Sequence, residues 1–176
     1  MADKNRHGAE ALDYSVIKKY DAFEIRKYDS INIVSVETKK PIGSQGFSML
    51  FNYISGQNEE KKEIPMTAPV INKVSETASN MAFVMPGDMT LETIPKPLRE
   101  GLIIKQMNSG YYAVSAFKGL NNQKKINRKI EAFRELLEEK GFSILSEFYL
   151  ARFDPPFTLP MLRRNEIMVE IDYEVS

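Results

Sequence analysis

Cysteine and tryptophan are absent from the 176 residues, and histidine occurs once. Without cysteine there is no disulfide, no thiolate metal site and no cysteine nucleophile. The one histidine, His7, stands in a polar stretch with nothing beside it to fix its ring, so a Ser-His-Asp triad and a histidine zinc site both fall away. Net charge is absent too, with 24 Lys plus Arg against 24 Asp plus Glu. No overall field therefore draws the chain to nucleic acid or to an anionic membrane. The short basic runs at 26–28, 124–129 and 163–164 read as solvated faces or local ion pairs. No window approaches the ~20 apolar residues of a membrane span, and the first residues lack an apolar stretch of secretory length. The phosphate-cradling pattern is missing as well, because GSQG at 43–46 has neither the lysine nor the further glycines. These absences predict a cytoplasmic protein with a flexible tail over 1–13 and one domain over 14–176. Neither nucleic acid nor membrane is expected as a partner, and the chain is expected as a monomer or weak dimer.

What is present is a change of period along the chain. FEIRKY at 23–28 and INIVSVET at 31–38 alternate as strands do, with Asp29-Ser30 between them, and predict a hairpin. The period then becomes helical over 45–55, where Phe47, Leu50, Phe51 and Ile54 recur at i, i+3, i+4 and i+7, with Ser44 as N-cap and Gly56 as the stop. EIPMTAPV at 63–70 follows. Its two prolines give no N–H to a ladder, which places the segment at a sheet edge or strand end, with Thr67 bonded to a loop carbonyl and Met66, Ala68 and Val70 as an apolar rim. MAFVMP at 81–86 is a further strand and 88–99 a connector.

The plan then repeats. GLIIKQM and YYAVSAFKG flank Asn108-Ser109-Gly110 as a second pair of strands, Asn121 and Asn122 cap a helix carrying Ile126, Ile130, Phe133, Leu136 and Leu137, and two strands close the chain. Residues 25–36 answer residues 104–116 in order of elements. The fold class expected is α+β, with two β-β-α-β-β repeats building a curved antiparallel sheet that carries both helices outside.

The first helix is the most informative element for function. At ~100° per residue its apolar side chains span roughly 200°, with only Ser48 and Asn52 on the polar side. A helix lying on a sheet needs an apolar stripe of ~100°, so one flank is left over for a flat apolar ligand. In RRNEIMVEI at 163–171, Arg163 and Arg164 either brace the preceding loop through Glu166 or face a ligand carboxylate.

GFSMLFNYISGQN, EIPMTAPV, MAFVMP, ARFDPPFTLP and RRNEIMVEI, in this order, resemble the SOUL family of haem-binding proteins over about residues 20–172. The resemblance implies a distorted antiparallel β-barrel of two β-β-α-β-β repeats with two flanking helices. It also implies a non-enzymatic protein that binds haem or another tetrapyrrole in a shallow apolar groove along the first helix. Carried over by position, the groove residues are Phe47, Leu50 and Phe51, with Asn52 at the margin and Ile71 after the MTAPV strand; Arg163 and Arg164 are the nearby cations. No histidine outside the tail stands ready as an axial ligand.

Two other readings stay open. The same fold is similar to gyrase-inhibitor-like domains, some of which sense small molecules or act as hydrolases through a cleft Glu/Tyr pair; here Glu166 with Tyr111, Tyr112 or Tyr149 would supply it. Alternatively, Met49 and Tyr53 on the first helix form a protein-interaction surface, as in a symmetric dimer.

Overall fold

The computed structural model describes residues 10–39, 46–76, 78–155 and 157–175. His7, Ser44 and Gln45 lie outside the described residues. The first half contains β1 (Glu10–Ala11), β2 (Ser15–Lys19), β3 (Glu24–Tyr28), β4 (Ile31–Thr38), α1 (Phe47–Ile54), β5 (Thr67–Ala68), β6 (Val70–Val74) and β7 (Ser79–Val84). The second contains β8 (Leu102–Met107), β9 (Gly110–Lys118), α2 (Gln123–Glu139), β10 (Ser143–Ile144), β11 (Phe148–Arg152), a 3-10 turn (Pro160–Leu162) and β12 (Arg164–Asp172).

The large sheet runs β2-β3-β9-β12-β11-β6-β7-β4-β8, with β10 added beside β12. Every pairing in it is antiparallel. From β3 to β8 the order reads alike from either end once each element is exchanged for its counterpart in the other half. The expected repeat is therefore present as a pseudo-twofold arrangement about the β6–β11 pair. β2 and β8 end up at opposite edges, so the sheet is an open, distorted version of the expected barrel.

The expected hairpin over 23–38 is corrected. β3 pairs with β2 and β9, β4 with β7 and β8, and β3 and β4 do not pair with each other. β8 and β9 part in the same way. Turn residues at Asp29-Ser30 and at Asn108-Ser109 end a strand, but they do not choose its partner. Each half sends one strand across.

One face of the sheet carries both helices. α1 sits on Val34, Val36, Met81 and Phe83, while α2 sits on Ile25, Leu150, Ile167 and Val169. α2 begins with Asn122, whose side-chain oxygen accepts from the Lys125 N–H at 2.9 Å. The opposite, inner face holds Ile33, Ile71, Ala82 and Val84 together with Tyr28, Tyr112, Ala151 and Met168; Leu12 and Tyr149 touch both groups.

Leu12 alters the reading of the tail. β1 pairs in parallel with β5, and the Leu12 N–H donates to the Ala68 carbonyl at 3.1 Å, so ordered chain begins before Asp13. EIPMTAPV is thus split. Thr67 and Ala68 bind the N-terminal strand, the Ala68–Pro69 peptide is cis, and Val70 opens β6. The Thr67 hydroxyl donates to the Val84 carbonyl at 2.5 Å, at the end of β7.

Candidate functional site

The first helix reaches the sheet closely because Gly46 precedes it. A Cβ there would lie 2.6 Å from Val36 Cγ1, and the residue holds φ +88°, a region that favours glycine. Leu50, Tyr53 and Ile54 are buried beneath the helix. The 88–99 connector covers one flank: Ile94 packs into the same cluster, and the Tyr53 hydroxyl donates to the Pro95 carbonyl at 2.6 Å. Burial pushes the Tyr53 hydroxyl up to about 12. Tyr53 is thereby removed from any docking surface. The other flank stays open. Phe51 is 46% exposed, and its ring stacks on that of half-buried Phe47 with centroids 6.0 Å apart and planes 13° from parallel. Phe47 in turn meets the edge of Phe83 at 5.4 Å.

From Phe83 a row of directly paired residues crosses the sheet: Phe83 on β7, Val70 on β6, Arg152 on β11, Asn165 on β12 and Phe117 on β9. Directly opposed residues of an antiparallel ladder share a face, so this row is the floor of the valley between α1 and α2. Phe47 lies over one end. Lys125 and Lys129 lie over the ring of Phe117 at the other, with their Nζ atoms 5.4 and 4.6 Å from its centroid.

Sequence reasoning chose different residues for parts of this floor. Leu50 is fully buried beneath α1 and offers no surface to a ligand. Ile71 precedes Asn72 on β6 and points to the inner face, where it packs with Ile33 and Ala82; the strand period of two puts it across the sheet from α1. Asn52 is half-buried on the helix. Arg163 donates from Nε to the Thr158 carbonyl at 2.9 Å and braces the loop before β12. Arg164 lies on the inner face, over the Phe153 ring at 4.6 Å and paired with Glu166. The cation that does project into the valley is Arg152, which sequence reading missed. Its signal was available, since Phe148, Leu150 and Arg152 alternate on one face of β11.

Around Glu166 the inner face is closed, while a cavity of about 220 Å³ opens at its margin among Leu12, Ile31, Thr67 and Val84. Glu166, fully buried, accepts from Arg26 through both oxygens at 2.8 and 3.0 Å, and from Arg164. Arg26 also donates to the Tyr28 hydroxyl at 2.9 Å and lies over the Tyr14 ring. Burial opposes the charge on Arg26, but Glu166 outweighs it and holds the guanidinium above its ordinary range. Burial and then Glu170 raise Tyr112 and Tyr149. The cavity among Leu12, Tyr28, Ile71, Tyr112, Tyr149 and Met168 measures about 20 Å³. That is room for one water, far short of the ~300 Å³ of a small-molecule site. Glu166 thus has its oxygens committed to two arginines and is not free to work with a tyrosine as a cleft acid.

Solved structures share the architecture. A hydrolase from Listeria innocua aligns over 89% of this chain and 94% of its own at TM-score 0.61 and 11% identity. The C-terminal domain of EcmrR aligns over 90% and 98% at TM-score 0.64 and 9% identity. At such identities the likeness concerns the fold alone. In sequence, Heme-binding protein 2 of Homo sapiens is 28% identical over 160 residues, which is 83% of this chain and 76% of that protein. The Mus musculus Heme-binding protein 2 matches to the same extent. The profile described as SOUL heme-binding protein matches residues 9–170. With nearly the whole domain matched, and with the doubled β-β-α-β-β plan in place, the chain belongs to the SOUL heme-binding protein family.

Proposed function

We propose that this protein binds haem or a related tetrapyrrole without catalysing a reaction, and that it holds the macrocycle against the open flank of α1. The observation that carries this reading is the Phe47–Phe51 pair: two nearly parallel rings, one of them 46% exposed, on a helix whose other side is buried. An exposed phenylalanine loses little by standing alone on a surface. Two stacked rings beside a valley floor present a flat apolar ledge of the kind a porphyrin face covers. At ~25 cal/mol per Å² of apolar surface removed from water, such packing supports micromolar affinity after association costs.

The residues of this ledge suit the macrocycle better than its iron. Phe47 and Phe51 offer no donor atom, and the sequence's single histidine, His7, stands outside the described residues. Packing rather than iron coordination then sets the affinity. Titration of haemin and of metal-free protoporphyrin IX, followed by the Soret band and by fluorescence, tests this. Similar saturable binding of both is expected, with Phe51→Ala weakening each about fivefold to tenfold through lost contact area. Absence of saturable binding by either would overturn the reading.

A further inference from the structure

Arg152 is the anomaly of the valley floor. Its Nη2 donates to Asn72 Oδ1 at 2.8 Å, while its Nε is buried and donates to nothing. No carboxylate pairs with it among the described residues. Burial alone acts on its charge and pushes the guanidinium below the usual arginine range. Arg152 is half-buried, and an arginine withdrawn this far from water is ordinarily paired with a carboxylate, because an ion without a counter-charge is costly to desolvate. Nearby polar groups do not compensate. Asn165 spends its amide on the Gly119 carbonyl at 2.9 Å and accepts from Asn121 at 2.7 Å, and Asn121 Oδ1 is itself buried with no donor.

The position of this cation gives it a use. Arg152 sits two strands from Phe83 in the paired row, about 10 Å at the ordinary inter-strand spacing, and Phe83 lies under Phe47. A planar ligand lying on Phe47 and Phe51 would have its rim over Val70 and its peripheral groups over Arg152. The paired nitrogens of a guanidinium form a planar fork that matches a carboxylate, and Lys125 and Lys129 at the far end of the row add positive potential.

Resting on the tetrapyrrole reading, we propose that Arg152 is the carboxylate anchor of the site. The ligand is then an acidic macrocycle, whose side-chain carboxylate accepts from the outward end of the half-buried Arg152 guanidinium while its apolar face covers Phe51. The anchor is thus supplied by β11, in place of the Arg163-Arg164 pair at the start of β12.

The test compares protoporphyrin IX with its dimethyl ester, which keeps the macrocycle and removes the negative charge, against wild type, Arg152→Met and Arg152→Lys. Wild type is expected to bind the diacid tenfold to a hundredfold more tightly than the ester, as a charged hydrogen bond provides. Arg152→Met should bring the two within about twofold of each other while leaving the ester's affinity unchanged. Arg152→Lys, which keeps the charge and loses the fork, should fall between. Arg164→Gln, altered on the opposite face, should keep the wild-type ratio. Circular dichroism and thermal melting confirm that each variant is folded; if Arg152→Met fails to fold, the Arg152→Lys ratio decides. A wild type that binds both forms equally, or an Arg152→Met variant that keeps the preference, would overturn the anchor and leave only a buried water at Nε; the porphyrin reading would survive. Binding of neither form by wild type would overturn both.

Discussion

Arg26 and Arg152 both project from the same sheet into surroundings with little water, yet the fold completes one and leaves the other unfinished. Arg26 on the inner face meets both oxygens of Glu166, the hydroxyl of Tyr28 and the ring of Tyr14. Arg152 on the outer face meets one side-chain amide oxygen. A buried charge whose partner is built into the chain serves the chain's own structure. Under the proposed function, one whose carboxylate partner is missing from the described chain is open to a partner from outside. By this contrast the inner face around Glu166 is held by the chain's own partners, and the valley between the helices is the proposed binding surface.

The sharpest way to break the contrast is to remove the inner carboxylate. Glu166→Ala should cost about 3 kcal/mol, because buried Arg26 would lose its two-oxygen partner and keep only the half-buried Glu24 carboxylate; urea unfolding monitored by circular dichroism measures it. A loss under about 1 kcal/mol would mean that Arg26 is hydrated and that the two arginines are alike. Next in size is a neighbouring pair on α1. Leu50→Ala should cost about 2–5 kcal/mol through cavity formation, whereas Phe51→Ala should change stability by about 0.5 kcal/mol or less and act on porphyrin affinity instead. Equal destabilisation by the two would show that the Phe51 flank belongs to the core.

A smaller effect is expected at Tyr53. Tyr53→Phe should cost about 1 kcal/mol for the bond to the Pro95 carbonyl. The folded hydroxyl titrates near 12 against an ordinary value of 10, so the fold binds this proton more tightly than the unfolded chain does. Its contribution is complete below pH 10 and is lost as pH rises through 12. Stability of the Tyr53→Phe variant measured across that window should fall less steeply than that of wild type. A change of similarly small size concerns Arg152 itself. Arg152→Met should leave stability within about 1 kcal/mol of wild type, or raise it, since it removes an unpaired half-buried charge. A loss of several kcal/mol would show that Arg152 is as structural as Arg26.

Some of this was legible from the residues. The alternation in INIVSVET, the helical spacing of Phe47, Leu50, Phe51 and Ile54, and the stop at Gly56 are local properties, and local sterics and burial periodicity express them directly. The surplus apolar arc of α1 was legible for the same reason, although not which side of it would stay open. That depended on the 88–99 connector, which carries Ile94 and Pro95 back across Tyr53 from about 40 residues away. The pairing of β3 with β9 was hidden because the turn at Asp29-Ser30 is compatible with either partner. Arg163 and Arg164 drew attention as a charge run, while Arg152 stood alone at the end of an apolar strand. Only the ladder, which sets Arg152 between Val70 and Asn165, shows that it faces the valley.

By itself the sequence determined the main strands and both helices from Phe23 onward, though not β1 and β2, together with the doubled order of those segments and the chemical classes closed to a chain with no cysteine and one histidine, because each depends on residue type and short-range spacing. Tertiary structure alone decided which strands cross between halves, which side of α1 remains wet and which arginine receives a counter-ion. Those outcomes depend on surfaces that meet from opposite ends of the chain, and no local period records them.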